Sequence, residues 1–104
     1  MNNYKKWDDI VLKLLSWTYP GFSFGYAQIE EPSHKVIFKA IEKAHRLQKL
    51  NEEPPLRVIP VGNGDVRFEW WDTKDFFKIM KFNKDGTTTV REFKDCKVIK
   101  KYNI

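Results

Sequence analysis

Few side chains in this 104-residue chain have the type and spacing that covalent or metal chemistry needs. The two histidines, His34 and His45, lie eleven residues apart in one segment of helical pattern. At about 1.5 Å rise per residue they share a helix face but stand roughly 16 Å apart, too far to ligate one ion. The single cysteine, Cys96, excludes an intramolecular disulfide and a thiolate zinc cage. It sits between Asp95 and Lys97 with no histidine close in sequence, and reads as an incidental thiol. Nucleophile-elbow, Walker and dinucleotide-binding glycine motifs are all missing from the sequence. Gly62-Asn63-Gly64-Asp65 has residues that can wrap an anion but no helix pattern behind it, so it reads as a hairpin turn. Glu69, Asp72 and Asp75 gather near Trp70 and Trp71. An acid–base carboxylate pair needs a deep cleft that so short a chain rarely builds, and these three are expected as solvated turn residues facing lysines. No catalytic residue, metal site or cofactor is expected, and the chain is not expected to be an enzyme.

Binding chemistry is better represented. Tyr19, Phe22, Phe24 and Tyr26 load one short loop with rings. They either close the end of the core or present an aromatic surface of the kind that anchors protein partners. Trp71 follows Trp70 by one residue, so in a strand the two point to opposite faces. Trp70 is expected in the core, and Trp71 falls beside Arg67 and Glu69 as a contact candidate. Tyr19, Phe22, Phe24, Tyr26, Arg67 and Trp71 are therefore the expected protein-binding residues. Lys94, Lys97, Lys100 and Lys101 form a basic tail that is the candidate nucleic-acid contact.

These residues need elements to position them. Over residues 5–17, Trp7, Ile10, Val11, Leu14 and Trp17 recur at helical steps, with Asp8 and Asp9 expected in the first turn and Pro20-Gly21 as the stop. Residues 32–50 form the clearest helical pattern, with Ile37, Ala40, Ile41, Ala44 and Leu47 on one face. Pro32 suits the first turn, Ser33 a cap, and Asn51 the end before Pro54-Pro55. Beyond Pro55 the period drops to two. Strands are expected over 57–61, weakened to an edge by Pro60, and over 65–71, with Val66, Phe68 and Trp70 inward. A third covers 76–82, apolar on both faces and so either central or bulged, and a fourth 87–93. Asp72–Asp75 and Asn83–Gly86 are turns. Residues 96–102 fit a fifth strand or a short tail helix. Helices first and strands after, joined by short turns, predict an α+β fold. It would be one domain over 1–104, two N-terminal helices packed on one face of a four- to five-stranded antiparallel meander. The predicted core unites Trp7, Val11, Leu14, Ile37, Ile41, Ala44, Phe68 and Trp70.

Composition agrees with a folded chain: 41% hydrophobic, 32% charged and 15% aromatic. No apolar run is long enough for a membrane helix, and no signal-peptide pattern opens the chain, so no membrane partner and a cytoplasmic location are expected. The formal charge of +5 is uneven: residues 57–104 hold 11 of the 19 basic side chains against 7 acidic ones. Such a balance favours solubility and mild attraction to polyanions. Acidic residues are mixed throughout, and no RNA-platform motif of glycines and aromatics is present.

The segment Pro55-Leu-Arg-Val-Ile-Pro60-Val-Gly-Asn-Gly64-Asp-Val-Arg-Phe-Glu69-Trp70, with Asp85-Gly86 closing the next hairpin, resembles a pattern in small bacterial and phage accessory proteins. In them a proline-bearing strand, a glycine turn, a strand ending in Glu-Trp and an Asp-Gly hairpin follow a helix with small residues, here Ala40 and Ala44. The likeness spans roughly residues 7–86. The family's acidic residues before Asp-Gly are replaced here by Lys78 and Lys81. The resemblance implies a compact α+β accessory domain, often of mobile or defence-related gene neighbourhoods, and implies no established enzymatic chemistry. The expected function is non-catalytic protein binding: a phage or mobile-element protein of the bacterial cytoplasm that inhibits or neutralises a larger protein, such as a nucleoprotein defence complex or a toxin. Such an anti-CRISPR-like or antitoxin-like partner would anchor through aromatics. The alternative is a nucleic-acid-binding accessory protein using the basic sheet and tail.

Overall fold

Ser33, Asn51 and the glycine turns act where the sequence places them. A computed structural model describes residues 3–25, 30–72 and 75–104. Helix α1 spans Asn3–Ser16 and helix α2 His34–Lys49. Helix α1 begins earlier than its apolar rhythm suggests, which corrects one expectation: Asp8 and Asp9 lie beyond its first turn, away from the strongest part of the helix dipole. Ser33 caps α2, its side chain accepting from the Val36 N–H at 3.2 Å, and Pro32 therefore precedes the cap. The C-terminal end is a Schellman closure. Asn51 takes the left-handed conformation (φ 57°), its N–H donating to Gln48 O, while the Glu52 N–H donates to Leu47 O, both at 3.0 Å. Gln48 then joins the helices, its Nε2 donating to Tyr4 O and Asp8 Oδ1, each at 2.8 Å.

Five strands follow in sequence order: β1 (Arg57–Pro60), β2 (Val66–Trp71), β3 (Phe76–Phe82), β4 (Thr88–Lys94) and β5 (Lys97–Asn103). They pair as an antiparallel meander in the order β1-β2-β3-β4-β5, so the fold is α+β. Pro60 ends an edge strand, where its missing N–H removes no internal ladder bond. The open choice for the tail resolves as strand β5, and β3 is central. The β1–β2 turn needs Gly64 (φ 95°): a Cβ there would come within 2.8 Å of Glu30 Oε2. The same turn holds Glu30, whose N–H donates to Gly62 O at 2.9 Å and whose carbonyl accepts from Gly64 N–H at 3.0 Å.

Alternation divides the sheet residues between two faces. Val58, Val66, Phe68, Met80, Phe82 and Val90 share one phase and form a single buried cluster with Trp7, Val11, Leu14, Ile37, Ile41 and Ala44 of the helices. Phe68 is its centre, against the rings of Phe82 (4.9 Å between centroids), Trp70 (6.2 Å) and Trp7 (6.4 Å). Trp70 is a partial correction to the predicted core. It packs against the cluster but stays half-buried, because its indole N–H reaches out to the Glu53 carbonyl at 2.9 Å. The Trp7 indole does the same for Glu52 O at 2.8 Å. The two bonds tie Glu52 to α1 and Glu53 to the strand that carries Trp70.

A candidate contact surface on the second sheet face

The residues of opposite phase build three cross-strand rows. Register aligns Trp71, Phe77, Phe93 and Val98 in one row across β2 to β5. The next row is Arg57, Glu69, Ile79, Arg91 and Lys101, and the third is Ile59, Arg67, Lys81, Thr89 and Asn103. The first row is aromatic and open. Trp71 and Phe77 are stacked with planes 8° apart and centroids 6.0 Å apart, and Phe77 meets Phe93 edge-on at 6.2 Å. Trp71 is 41% exposed and Val98 54%. These rings line a shallow depression whose rim carries Asp72, Asp75 and Asp95 on one side and Arg57 on the other. Two links hold that rim in shape. Asp72 Oδ1 accepts from the Asp75 and Phe76 N–H groups at 3.2 Å, and the Asp95 N–H donates to Asp75 O at 3.2 Å.

The second row corrects an expectation. Glu69 is not a solvated turn residue. It is mid-strand, fully buried, and paired with two arginines. Arg57 Nε donates to Oε1 at 2.5 Å, and this bond, together with the carboxylate charge, raises the Arg57 pKa further above its ordinary value. Arg67 Nε stands 2.6 Å from Oε2 but off the hydrogen-bonding line, so that contact is an ion pair without an aligned bond. The signal was present in the sequence as Arg-x-Glu in a strand. The second arginine comes from β1, and only the register brings Arg57 opposite Glu69.

The other expected site residues are placed as follows. Phe24 packs on the core cluster and edge-on to Trp17 at 5.6 Å, and Phe22 leans on it at 4.9 Å. Tyr19 is exposed, and Tyr26 lies outside the described residues. The loop thus both closes the core, through Phe24, and leaves rings outside, through Tyr19 and Phe22. Trp71 and Arg67 share the second face, two rows apart. Phe24 belongs to the cluster of the first face, so among the described residues the structure does not bring it into one patch with Trp71. Lys94, Lys97, Lys100 and Lys101 are all exposed; Lys94 lies opposite Lys97, and Lys101 opposite Arg91.

Sequence reasoning missed Phe77, Phe93 and Val98. Their row depends on pairing three strands in one register, and alternation within one strand cannot show it. Cys96 is exposed, and His34 sits edge-on to Phe38. Among the described residues, no group of three or more His, Cys, Asp or Glu side chains is placed to hold a metal ion, and no helix is long and apolar enough to cross a membrane. Compared with known proteins, the chain matches no family model, no curated protein and no solved structure.

Proposed function

We propose that this is a non-catalytic binding module whose second sheet face seats a larger protein. The two helices serve as the backing of the first face and leave the second free. The observation that carries the reading is the open row Trp71–Phe77–Phe93–Val98, stiffened by ring stacking and held on a sheet rather than on a loop. Rigid rings at the centre of a patch with charged margins are the usual anchors of protein interfaces. Acidic groups at one end and arginines at the other would orient the partner and speed its encounter. In role, we infer a phage or mobile-element protein that occupies and inhibits or neutralises its target, in the manner of an anti-defence inhibitor or an antitoxin.

The test begins with affinity capture from a bacterial host lysate and mass spectrometry, followed by titration of the purified pair. Trp71→Ala and Phe93→Ala should each weaken the complex by ~2 kcal/mol or more, about thirty-fold, at a temperature where melting curves show each variant still folded. Phe22→Ala asks whether the loop is a second anchor. Normal binding by both row variants would defeat the reading.

A second reading has its own support. Lys94 and Lys97 face one another across the last hairpin and, with Lys100 and Lys101, give an exposed cationic strand. On that reading the protein is a nucleic-acid-binding accessory factor. Its affinity would fall steeply with salt, and Lys100→Glu would abolish it while Trp71→Ala would not.

A further inference from the structure

On the second sheet face, Arg67 stands directly opposite Lys81, and Arg91 directly opposite Lys101. Like charges facing across a ladder are destabilising unless something neutralises them. Glu69 answers Arg57 and Arg67. Asp65 answers Lys81 only at 3.9 Å, and its other oxygen already accepts the Lys84 N–H at 2.8 Å. Arg91 and Lys101 have no partner among the described residues. Between these cations the sheet dips: Arg67, Lys81, Arg91 and the Thr89 side chain surround a small depression with Ile79 at its side. The cavity adjoins the aromatic one beside Trp71, with Ile79 lining both.

We propose that this depression binds a phosphate dianion, free or as the monoester of a side chain, an inference that goes beyond the aromatic contact surface and does not depend on it. Three cationic residues and one threonine, drawn from β2, β3 and β4, line this space, and they are the donor types that a tetrahedral dianion takes. The buried carboxylate of Glu69 is the positioning element. By holding Nε of Arg67, it leaves the four Nη hydrogens of that guanidinium for an outside ligand. A lone carboxylate ligand would need only one arginine fork. An extended polyanion would run toward Asp72, Asp75 and Asp95 at the other end of the face. A compact dianion meets the positive charge without that repulsion. The group can be free phosphate or a phosphorylated side chain.

The experiment is a heteronuclear NMR titration of the full chain at constant ionic strength. It follows the guanidinium signals of Arg67 and Arg91 and the Thr89 amide. Inorganic phosphate, phenyl phosphate, acetate and single-stranded oligothymidylate are added in turn. Saturable shifts with both phosphates and none with acetate at equal concentration are expected. Tighter binding of phenyl phosphate identifies a phosphorylated side chain as the source, and equal binding identifies free phosphate. Lys81→Gln and Arg91→Gln should each weaken phosphate binding about tenfold, with the rest of the spectrum unchanged, and Lys35→Gln on α2 should leave it unaltered. Equal response to acetate, full binding by both variants, or oligothymidylate binding more than about tenfold tighter with a steep salt slope would each overturn the assignment.

Discussion

Replacing Phe68 with alanine tests which face of β2 is buried, and the contact surface beside Trp71 depends on that answer. Phe68 is fully buried and touches three aromatic rings, with Val58 and Met80 opposite it on the flanking strands. Truncating a buried phenylalanine removes its transfer free energy and leaves a cavity, together about 3–5 kcal/mol. Each aromatic pair is worth roughly 0.5–1.5 kcal/mol beyond area burial, and three such pairs put the expected loss at the upper end, about 4–5 kcal/mol. A 104-residue chain has a total stability of about 5–15 kcal/mol, so the variant should sit close to its unfolding threshold. Trp71 is the internal comparison. It is a larger side chain, three residues along the same strand, but it is 41% exposed and rests mainly on Phe77. Trp71→Ala should cost only about 1–2 kcal/mol. Urea unfolding followed by tryptophan fluorescence and far-UV circular dichroism reads both changes, provided that the slopes of the transitions agree. A Phe68→Ala loss below about 0.5 kcal/mol, or a Trp71→Ala loss larger than that of Phe68→Ala, would mean that the faces are exchanged and the aromatic row is core.

Two further outcomes concern the turns. The β4–β5 connection is a two-residue hairpin in which Asp95 (φ 52°) and Cys96 (φ 65°) both occupy the left-handed region without being glycine, so Cys96→Gly should raise stability by about 0.5–1 kcal/mol in the same urea assay. In the β3–β4 turn, Asp85 accepts from the Thr87 hydroxyl (2.6 Å) and N–H (2.9 Å), which holds its carboxyl below the ordinary aspartate value. A carboxyl depressed on folding stabilises the protein above its unfolded pKa of about 3.9, and that contribution is lost as pH falls through the lower folded value. The gap in urea midpoint between parent and Asp85→Asn should therefore be constant near neutrality and narrow below about pH 4; an equal gap throughout the acid range would contradict the bond.

Edge protection is visible in β5. A bulge interrupts its register between Glu92 and Phe93, so that Ile99 is an extra residue against β4, and Lys97, Lys100 and Lys101 stud the strand. Both devices discourage pairing with a second copy of the strand. This is one reason to look for partners on the second face of the sheet rather than at its edge.

Local signals in the sequence determined most of the elements. The three-and-four spacing of Trp7, Val11 and Leu14, the Ser33 cap, the Asn51 stop and the glycine turns act within a few residues of themselves, and the structure uses each of them. Alternation along Val66–Trp71 also separated Phe68 from Trp71, because adjacent side chains of a strand must point apart. Local pattern could not decide what lies beside what. The row Trp71–Phe77–Phe93–Val98, the burial of Glu69 between Arg57 and Arg67, and the depression among Arg67, Lys81 and Arg91 all depend on strand register. Register is a long-range quantity, set jointly by turn lengths and by burial of the opposite face. The loop rings show the same division. Their number was plain from composition, but whether Phe24 faced the core or water was settled by Trp17 offering it an edge to pack on. Composition and periodicity specify which surface each residue seeks, and only the tertiary fold decides which neighbours it finds there.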